Sequence, residues 1–273
     1  MLYKYLPEAR IDVLEKLAIR FTQPKSLNDP FESRPLIDVS SKTGDIFEDI
    51  KKEAKDLWNG IPLHERTPEN RKKLQRAVQK IRNKAKERLS PHRIGLSLMD
   101  ELNEKLGILS LSRTFSNLLM WSHYADGHKG FVIGFDSMHK FFRQKSPDKH
   151  DTSPYLVSYT TQRSLIKPDE HDAYTKVLCQ KPLDWAYEEE VRIFRNFSDV
   201  AVPPNMDKSG YPIYLVDIPD DCIKKIFIGA HASPNFKNRI IKQVFNKIPK
   251  AQILEMKMSD SKYQLECHRL RQP

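Results

Sequence analysis

Three consecutive acids in the run Trp185, Ala186, Tyr187, Glu188, Glu189, Glu190, Val191, Arg192 are the residues best suited to chemistry. They stand between an aromatic pair and VRIF, which reads as a strand. If the chain is extended from about Glu190, then Glu188 and Glu190 share one side, because extended residues alternate faces. Two such carboxylates can divide a reaction, one steadying an electrophile while the other takes a proton from a nucleophile. The plainer reading is an acidic strand entry, solvated or ion-paired with basic residues elsewhere. A second set lies in His123, Tyr124, Ala125, Asp126, Gly127, His128. His123 and Asp126, three apart, fall on one helix face, and with His128 they are alternative ligands for zinc or another divalent ion. Against that, Trp121 and Tyr124 pack a helix well and the histidines can bond carbonyls. Ser110 and Ser112 alternate with Leu109 and Leu111, which puts both hydroxyls on one strand face, at an edge or in a pocket lining. Asn28, Asp29, Pro30, Phe31 and Glu32 form a turn signal, and the same residues are candidates for a pocket wall together with Arg192.

The elements that must position these groups fall in four regions. The first runs to about Val39. It opens with strand-like LYKY, continues with a short helical pattern (Val13, Leu14, Leu17, Ala18) and strand-like IRFTQP, and closes on the Asn28–Glu32 turn. From about 43 to 106 the chain reads as mostly helix, with stripes at Ile46, Phe47, Ile50, Ala54, Leu57 and at Leu74, Ala77, Val78, Ile81, Ala85. GILSLSRT is then a strand, Ser116 caps a helix that Gly127 ends, and GFVIGFD is a buried strand. Further strands are expected at Tyr155–Tyr159, Val191–Phe194, Ile213–Val216 and Lys225–Ile228, with a helix from about Ser233 to Asn246 and a last strand in AQILEMKM. Short strands interleaved with helices, lacking a steady βαβ rhythm, predict one α+β domain of catalytic type over 1–273 with a mixed or mostly antiparallel sheet and a helical insertion.

Composition narrows the partners. In 273 residues, 46 Lys and Arg stand against 36 Asp and Glu, a formal net charge of +10. Between Lys51 and Arg93 fourteen basic residues face five acids, which leaves the rest of the chain close to neutral. A basic helical insertion of this kind favours a polyanion, with Lys72, Lys73, Arg76 and Lys80 as candidate nucleic-acid contacts. Only Trp58 interleaves an aromatic ring there, so binding would run through phosphate in a salt-dependent way. The alternative is an ordinary solvated face. No apolar run approaches the roughly 18 residues a membrane span needs, and MLYKYLPEAR has no secretory apolar stretch, so a cytoplasmic protein without membrane contact is expected. Cys179, Cys222 and Cys267 have no motif spacing, against a disulfide scaffold. With nine glycines and no GxGxxG, GxxxxGK[ST], HExxH or GxSxG, a dinucleotide dehydrogenase or P-loop enzyme is not expected.

Taken together, LYKY, RFTQPKSLNDPFE, LSLSRTFSNLLMWSHYADGHKGFVIGFD and WAYEEEVR resemble a widespread prokaryotic family of uncharacterised domains. The order of an LY-x-Y strand, a serine-bearing strand and a late Glu-x-Glu strand is similar to the ADP-ribosyltransferase fold. That resemblance implies NAD as cofactor. It implies Glu190 as the catalytic glutamate on the nicotinamide-side ribose, and Glu188 as the acid that orients or deprotonates the acceptor. Tyr3, Lys4 or Tyr5 would hold the nicotinamide ribose or amide, Ser110 or Ser112 would line the middle strand, and Trp121 or Tyr124 would stack on the leaving group. Members usually carry His or Arg where Lys4 stands. The function expected is ADP-ribosyl transfer to nucleic acid, by a toxin or antiviral defence effector with a cognate inhibitor. A metal-dependent nuclease or hydrolase, and a non-catalytic nucleic-acid or partner-binding module, are the alternatives.

Overall fold

The computed structural model describes residues 1–32, 34–143, 153–200 and 205–270. In chain order the elements are β1 (Leu2–Leu6), α1 (Asp12–Lys16), β2 (Ala18–Phe21), β3 (Leu36–Ile37), α2 (Ser40–Gly60), α3 (Pro68–Arg88), α4 (Pro91–Lys105) and β4 (Leu106–Ser112). There follow α5 (Leu118–Tyr124), β5 (Phe131–Phe135), β6 (Tyr155–Leu156), β7 (Ser158–Thr160), β8 (Leu165–Ile166), α6 (Ala173–Leu178), β9 (Gln180–Pro182) and β10 (Glu190–Asn196). The chain ends with β11 (Tyr214–Asp217), β12 (Ile223–Ile228), α7 (Pro234–Lys247), β13 (Gln252–Met258) and β14 (Leu265–Arg269). The fold is α+β, as its sequence pattern predicts.

Two compact units divide the chain. The first holds 1–32, 102–161 and 179–273, and the second holds 33–101 and 162–178. The helices expected at about 43–106 thus build a unit of their own, to which 162–178 also belongs.

An eight-stranded sheet organises the first unit, in the order β14-β13-β12-β5-β1-β4-β10-β6. Every neighbouring pair is antiparallel except the parallel β12 and β13, which α7 connects. Leu2, Leu6, Leu109, Ile133, Ile193, Ile226, Phe236 and Ile240 share the main core with Val13 and Leu14 of α1. A smaller cluster gathers Tyr5, Trp121, Val132 and Phe227 under α5. Side chains therefore leave β1 and β5 alternately for two cores, as a two-residue period requires. α1 is a short helix, because Leu17 turns left-handed (φ 52°) and Ala18 already starts β2. α5 is capped by Asn117, one residue beyond the expected Ser116, since the Asn117 carboxamide oxygen accepts from both Leu119 and Met120 N–H. Its end is a left-handed run of Asp126, Gly127 and His128, after which Gly130 passes the Leu6 carbonyl so closely that a Cβ would lie 2.1 Å from it. β11 pairs with β2 outside the main sheet, and β14 is an edge strand that its mixed polar sequence did not announce.

The sheet is joined loosely at one place. β1 and β4 are in register at a single pair, Tyr3 with Ser112, whereas β4 pairs with β10 from Leu106 to Ser112. The Ser110 carbonyl accepts from Lys4 Nζ at 2.9 Å, a side-chain donor where a continuous ladder would supply a backbone N–H.

The second unit consists of α2 and α3 as a helical hairpin, α6, most of α4, and the short parallel pair β3 and β8. Ile37, Val39 and Ile166 form its small core, with Leu89, Ile94, Leu98, Ala173 and Val177 packed against them. No residue of α3 is buried. Leu74, Val78 and Ala85 are half-buried as their stripe predicts, while Ala77 and Ile81 of that stripe, and Leu57 of α2, are exposed. No helix among the described residues is long and apolar enough to cross a membrane.

Candidate functional site

A solvent-open cleft of about 260 Å³ lies beside the joint between β1 and β4, entirely within the first unit. Tyr3, Lys4 and Tyr5 of β1 and Ser110 and Ser112 of β4 line it. Asn28, Glu32, Tyr124, Glu188, Glu190 and Arg192 are also in its wall. These eleven positions, scattered from residue 3 to residue 192, are candidates that the sequence singled out and that the fold brings together.

At the floor sits a network of buried charge. Arg192 grips Glu190 with Nε at 2.9 Å and Nη2 at 3.0 Å, and its Nη2 reaches Glu32 at 2.6 Å. Lys181 Nζ lies 2.6 Å from Glu188, 3.1 Å from Glu32 and 3.4 Å from Glu190. All five side chains are at most 6% exposed, so three carboxylates and two cations are held out of water together. Taking charges out of water is costly unless geometry and hydrogen bonds compensate, and removing one partner typically costs about 3–5 kcal/mol. Such a cluster needs a dense set of donors. Here the Glu190 N–H donates to the Tyr159 hydroxyl at 2.7 Å, and the Ser110 hydroxyl adds to the donors on the Glu190 carboxylate.

Local backbone explains how Glu188 and Glu190 come to share the cleft. Glu188 ends a 3-10 turn over Leu183–Glu188, and Glu189 is left-handed (φ 44°) before β10 begins. The two acids therefore converge through a kink, a correction to the expected alternation along one strand. Glu189 itself turns out to Arg113, at 3.2 Å. Ser112 fixes the turn by donating to the Glu188 carbonyl at 2.7 Å. Asn117 uses its oxygen to cap α5 and its amide Nδ2 to hold the Tyr187 carbonyl at 3.1 Å, which couples the helix of Tyr124 to the turn of Glu188. The Tyr124 hydroxyl donates to Glu188 Oε1 and accepts from Asn28 Nδ2, the latter at 3.1 Å.

The two acids differ in protonation. Burial pushes both upward. At Glu190 the Arg192 guanidinium, with Lys181 and the Ser110 hydroxyl, outweighs burial and holds the carboxyl down at about 2. At Glu188 burial prevails over Lys181 and the Tyr124 hydrogen bond, so its carboxyl titrates above the ordinary glutamate value. Lys4 is lowered to about 8 by burial, against the attraction of Glu190 and Glu188. Carboxyl groups driven apart in this way are suited to different jobs, one a standing negative charge and the other a proton carrier.

Several expected site residues lie elsewhere or serve otherwise. Trp121 is buried in the smaller core, donates Nε1–H to the Phe115 carbonyl at 2.7 Å and stacks on His128, so it does not reach the cleft. Asp29 builds the turn, its Oδ1 accepting from Phe31 N–H at 2.9 Å, and thereby aims Asn28 and Glu32 rather than lining the wall itself. His123 Nδ1 pairs with the Tyr187 hydroxyl at 2.9 Å, and His128 packs against Trp121 and His231. Among the described residues no three His, Cys, Asp or Glu side chains come together as a metal site, His123, Asp126 and His128 included. Lys72, Lys73, Arg76 and Lys80 are exposed on α3 in the second unit. Lys181 is the residue the sequence reading missed. Its signal was indirect: three successive acids entering a buried strand require a cation beside them.

Residues 120–193 match the model of a family described as Protein of unknown function (DUF2971), in keeping with the resemblance to uncharacterised domains. The match contains Tyr124, Lys181, Glu188, Glu190 and Arg192. No curated protein and no solved structure matches the chain.

Proposed function

We propose that the cleft carries out NAD-dependent ADP-ribosyl transfer to nucleic acid. The observation that carries this reading is the pairing of Glu190, held ionised, with Glu188, whose carboxyl is raised, on one wall beside the aromatic first strand. NAD, when bound, supplies a ribose carbon that becomes positively charged as the nicotinamide leaves. The lining suits such a group. Glu190 and Glu188 place carboxylates on one wall for a cationic ring and for developing charge. Tyr3 and Tyr124 offer flat faces, Asn28 an amide, and Lys4 a cation for the anionic part of the dinucleotide.

Each residue then has a distinct task. Glu190, with Arg192, Lys181 and Ser110 already on its carboxylate, stays charged and fixed. Glu188 takes a proton from the acceptor's nucleophile at a carboxylate oxygen, and Lys181 keeps that carboxylate in place. Tyr124 orients Glu188 from the opposite side. The basic excess of the chain supports nucleic acid as acceptor. As an effector of the toxin or defence kind, the protein would act in the cytoplasm and could be restrained by an inhibitor protein.

Nicotinamide release from NAD, with and without RNA or DNA, tests the reading. Wild type is expected to release it, and Glu190→Gln and Glu188→Gln to lose at least about a hundredfold in rate, with circular dichroism confirming that both variants fold. Absence of release by wild type under every condition, or full activity in both folded variants, overturns it.

A further inference from the structure

α3 carries a line of charge that its own fold does not use. Its 21 residues contain nine Lys or Arg against Glu69 and Glu87. Two of the nine have internal partners that face them: Lys73 pairs with Glu69 at 2.9 Å, and the Arg82 guanidinium lies 5.1 Å over the Phe47 ring of α2. Lys72, Arg76, Lys80 and Lys84 are all exposed and make no ion pair among the described residues. They follow one another at four-residue spacing, so they stack along one face with like charges adjacent, an arrangement that weakens an isolated helix. Helix geometry sets them about 6 Å apart over about 18 Å. That spread exceeds any small anion and suits a chain of them.

We infer that Lys72, Arg76, Lys80 and Lys84 form a docking line for the phosphodiester backbone of a nucleic acid. The amides of Gln79 and Asn83, hydrogen-bonded to each other at 2.9 Å, lie in the same shallow groove as Arg76, Lys80 and Lys84 and add neutral donors for phosphate oxygens, while the one acid of that groove, Glu87, is paired with Arg93 at 2.8 Å. No aromatic side chain occurs in α3, so the line reads backbone rather than bases. A membrane surface fits less well. A helix lying in lipid exposes a broad apolar face, whereas the half-buried apolar residues of α3 belong to its pairing with α2 and only Ala77 and Ile81 stand outside. The inference supplies the partner that the proposed reaction requires as acceptor, and it stands or falls without NAD.

Anisotropy of labelled single-stranded RNA, single-stranded DNA and duplex DNA, titrated with the full chain across a potassium chloride series and without NAD, provides the test. Four phosphate contacts predict a slope of log affinity against log salt of about −3 to −4, the shallower value for single strands. Reversal of all four residues (Lys72→Glu, Arg76→Glu, Lys80→Glu, Lys84→Glu) is expected to lower affinity at least tenfold and flatten that slope, with helicity retained. The same charge change at exposed Lys208, Lys250, Lys257 and Lys262 of the first unit is expected to leave most of the affinity in place. Three results would each overturn the inference: no polymer bound at low salt, equal loss in both variants, or binding matched by polyglutamate or by phosphatidylserine vesicles. Nicotinamide release measured separately shows whether a failure here touches the catalytic reading.

Discussion

Glu190 and Glu188 are two residues apart and chemically identical, yet their surroundings give them opposite tendencies. The difference lies in the donors. Arg192 meets Glu190 with two nitrogens, while Glu188 has one lysine and one tyrosine hydroxyl to offset burial. Those donors also set the sign of a stability effect. Glu190 titrates at about 2 in the fold against an ordinary 4.5, so the unfolded chain binds the extra proton first as pH falls. Its contribution is present above about pH 4.5 and is lost as the pH drops towards 2. The stability gap between wild type and Glu190→Gln, measured by urea unfolding, should therefore shrink between pH 5 and pH 3; a gap that stays constant would contradict the assigned ion pairs. Activity should show the other acid. A base at Glu188 must be deprotonated, so the acidic limb of the nicotinamide-release profile should fall above the ordinary glutamate value of 4.5.

Among the elements, the turn from Leu183 to β10 decides the geometry of the site. Glu189 holds a left-handed conformation that costs an L-residue about 1–2 kcal/mol, and its ion pair with half-exposed Arg113 returns little. Glycine adopts that conformation freely but loses more entropy on folding. Glu189→Gly should therefore stay within about 1 kcal/mol of wild type and keep its activity. Glu189→Val, β-branched at the same φ, should cost about 2 kcal/mol or more and separate Glu188 from Lys181. Thermal melts and nicotinamide release on both variants check this; a valine variant as active as the glycine one would remove the kink from the account. The joint between β1 and β4 is a comparable element. Lys4 there substitutes for a backbone donor and faces the cleft as well, so structure and chemistry meet in one side chain.

Over the whole molecule, burial is distributed unevenly. The first unit has a deep core on its eight-stranded sheet, whereas α3 buries no residue at all and carries unrelieved like charge. Local opening is favoured where few apolar contacts oppose it. Amide hydrogen exchange should therefore open α3 at a lower free energy than β1, β5 and β12, and added salt should slow α3 exchange by screening its cations. Protection of α3 equal to that of β5 would show that the hairpin has support beyond its half-buried seam.

Much of this was legible in the chain. Alternating and helical periods placed β1, β4, β5, β10, β12 and α7, because a buried face leaves a regular mark on sequence. Asn28, Glu32, Ser110, Ser112, Glu188, Glu190 and Arg192 were singled out from residue type and local grouping, whereas Tyr3, Lys4, Tyr5 and Tyr124 entered through the resemblance. Other features left no local mark. Lys181 sits in an unremarkable QKP segment seven and nine residues before Glu188 and Glu190, and its third acid, Glu32, comes from far along the chain. Trp121 read as a stacking ring and is a core residue, since exposure depends on what packs above it. The three metal candidates read as neighbours and diverge, because a left-handed turn at Asp126 and His128 redirects them. By itself the sequence determined the α+β pattern and the basic helices, which derive from period and composition, and the acids and serines of the cleft, which derive from residue type and spacing. The tertiary structure alone decided which acids share a cation and which of them stays charged. Those outcomes depend on distances of a few ångströms in a water-poor interior, where electrostatic interaction is strong and its partners come from anywhere in the chain.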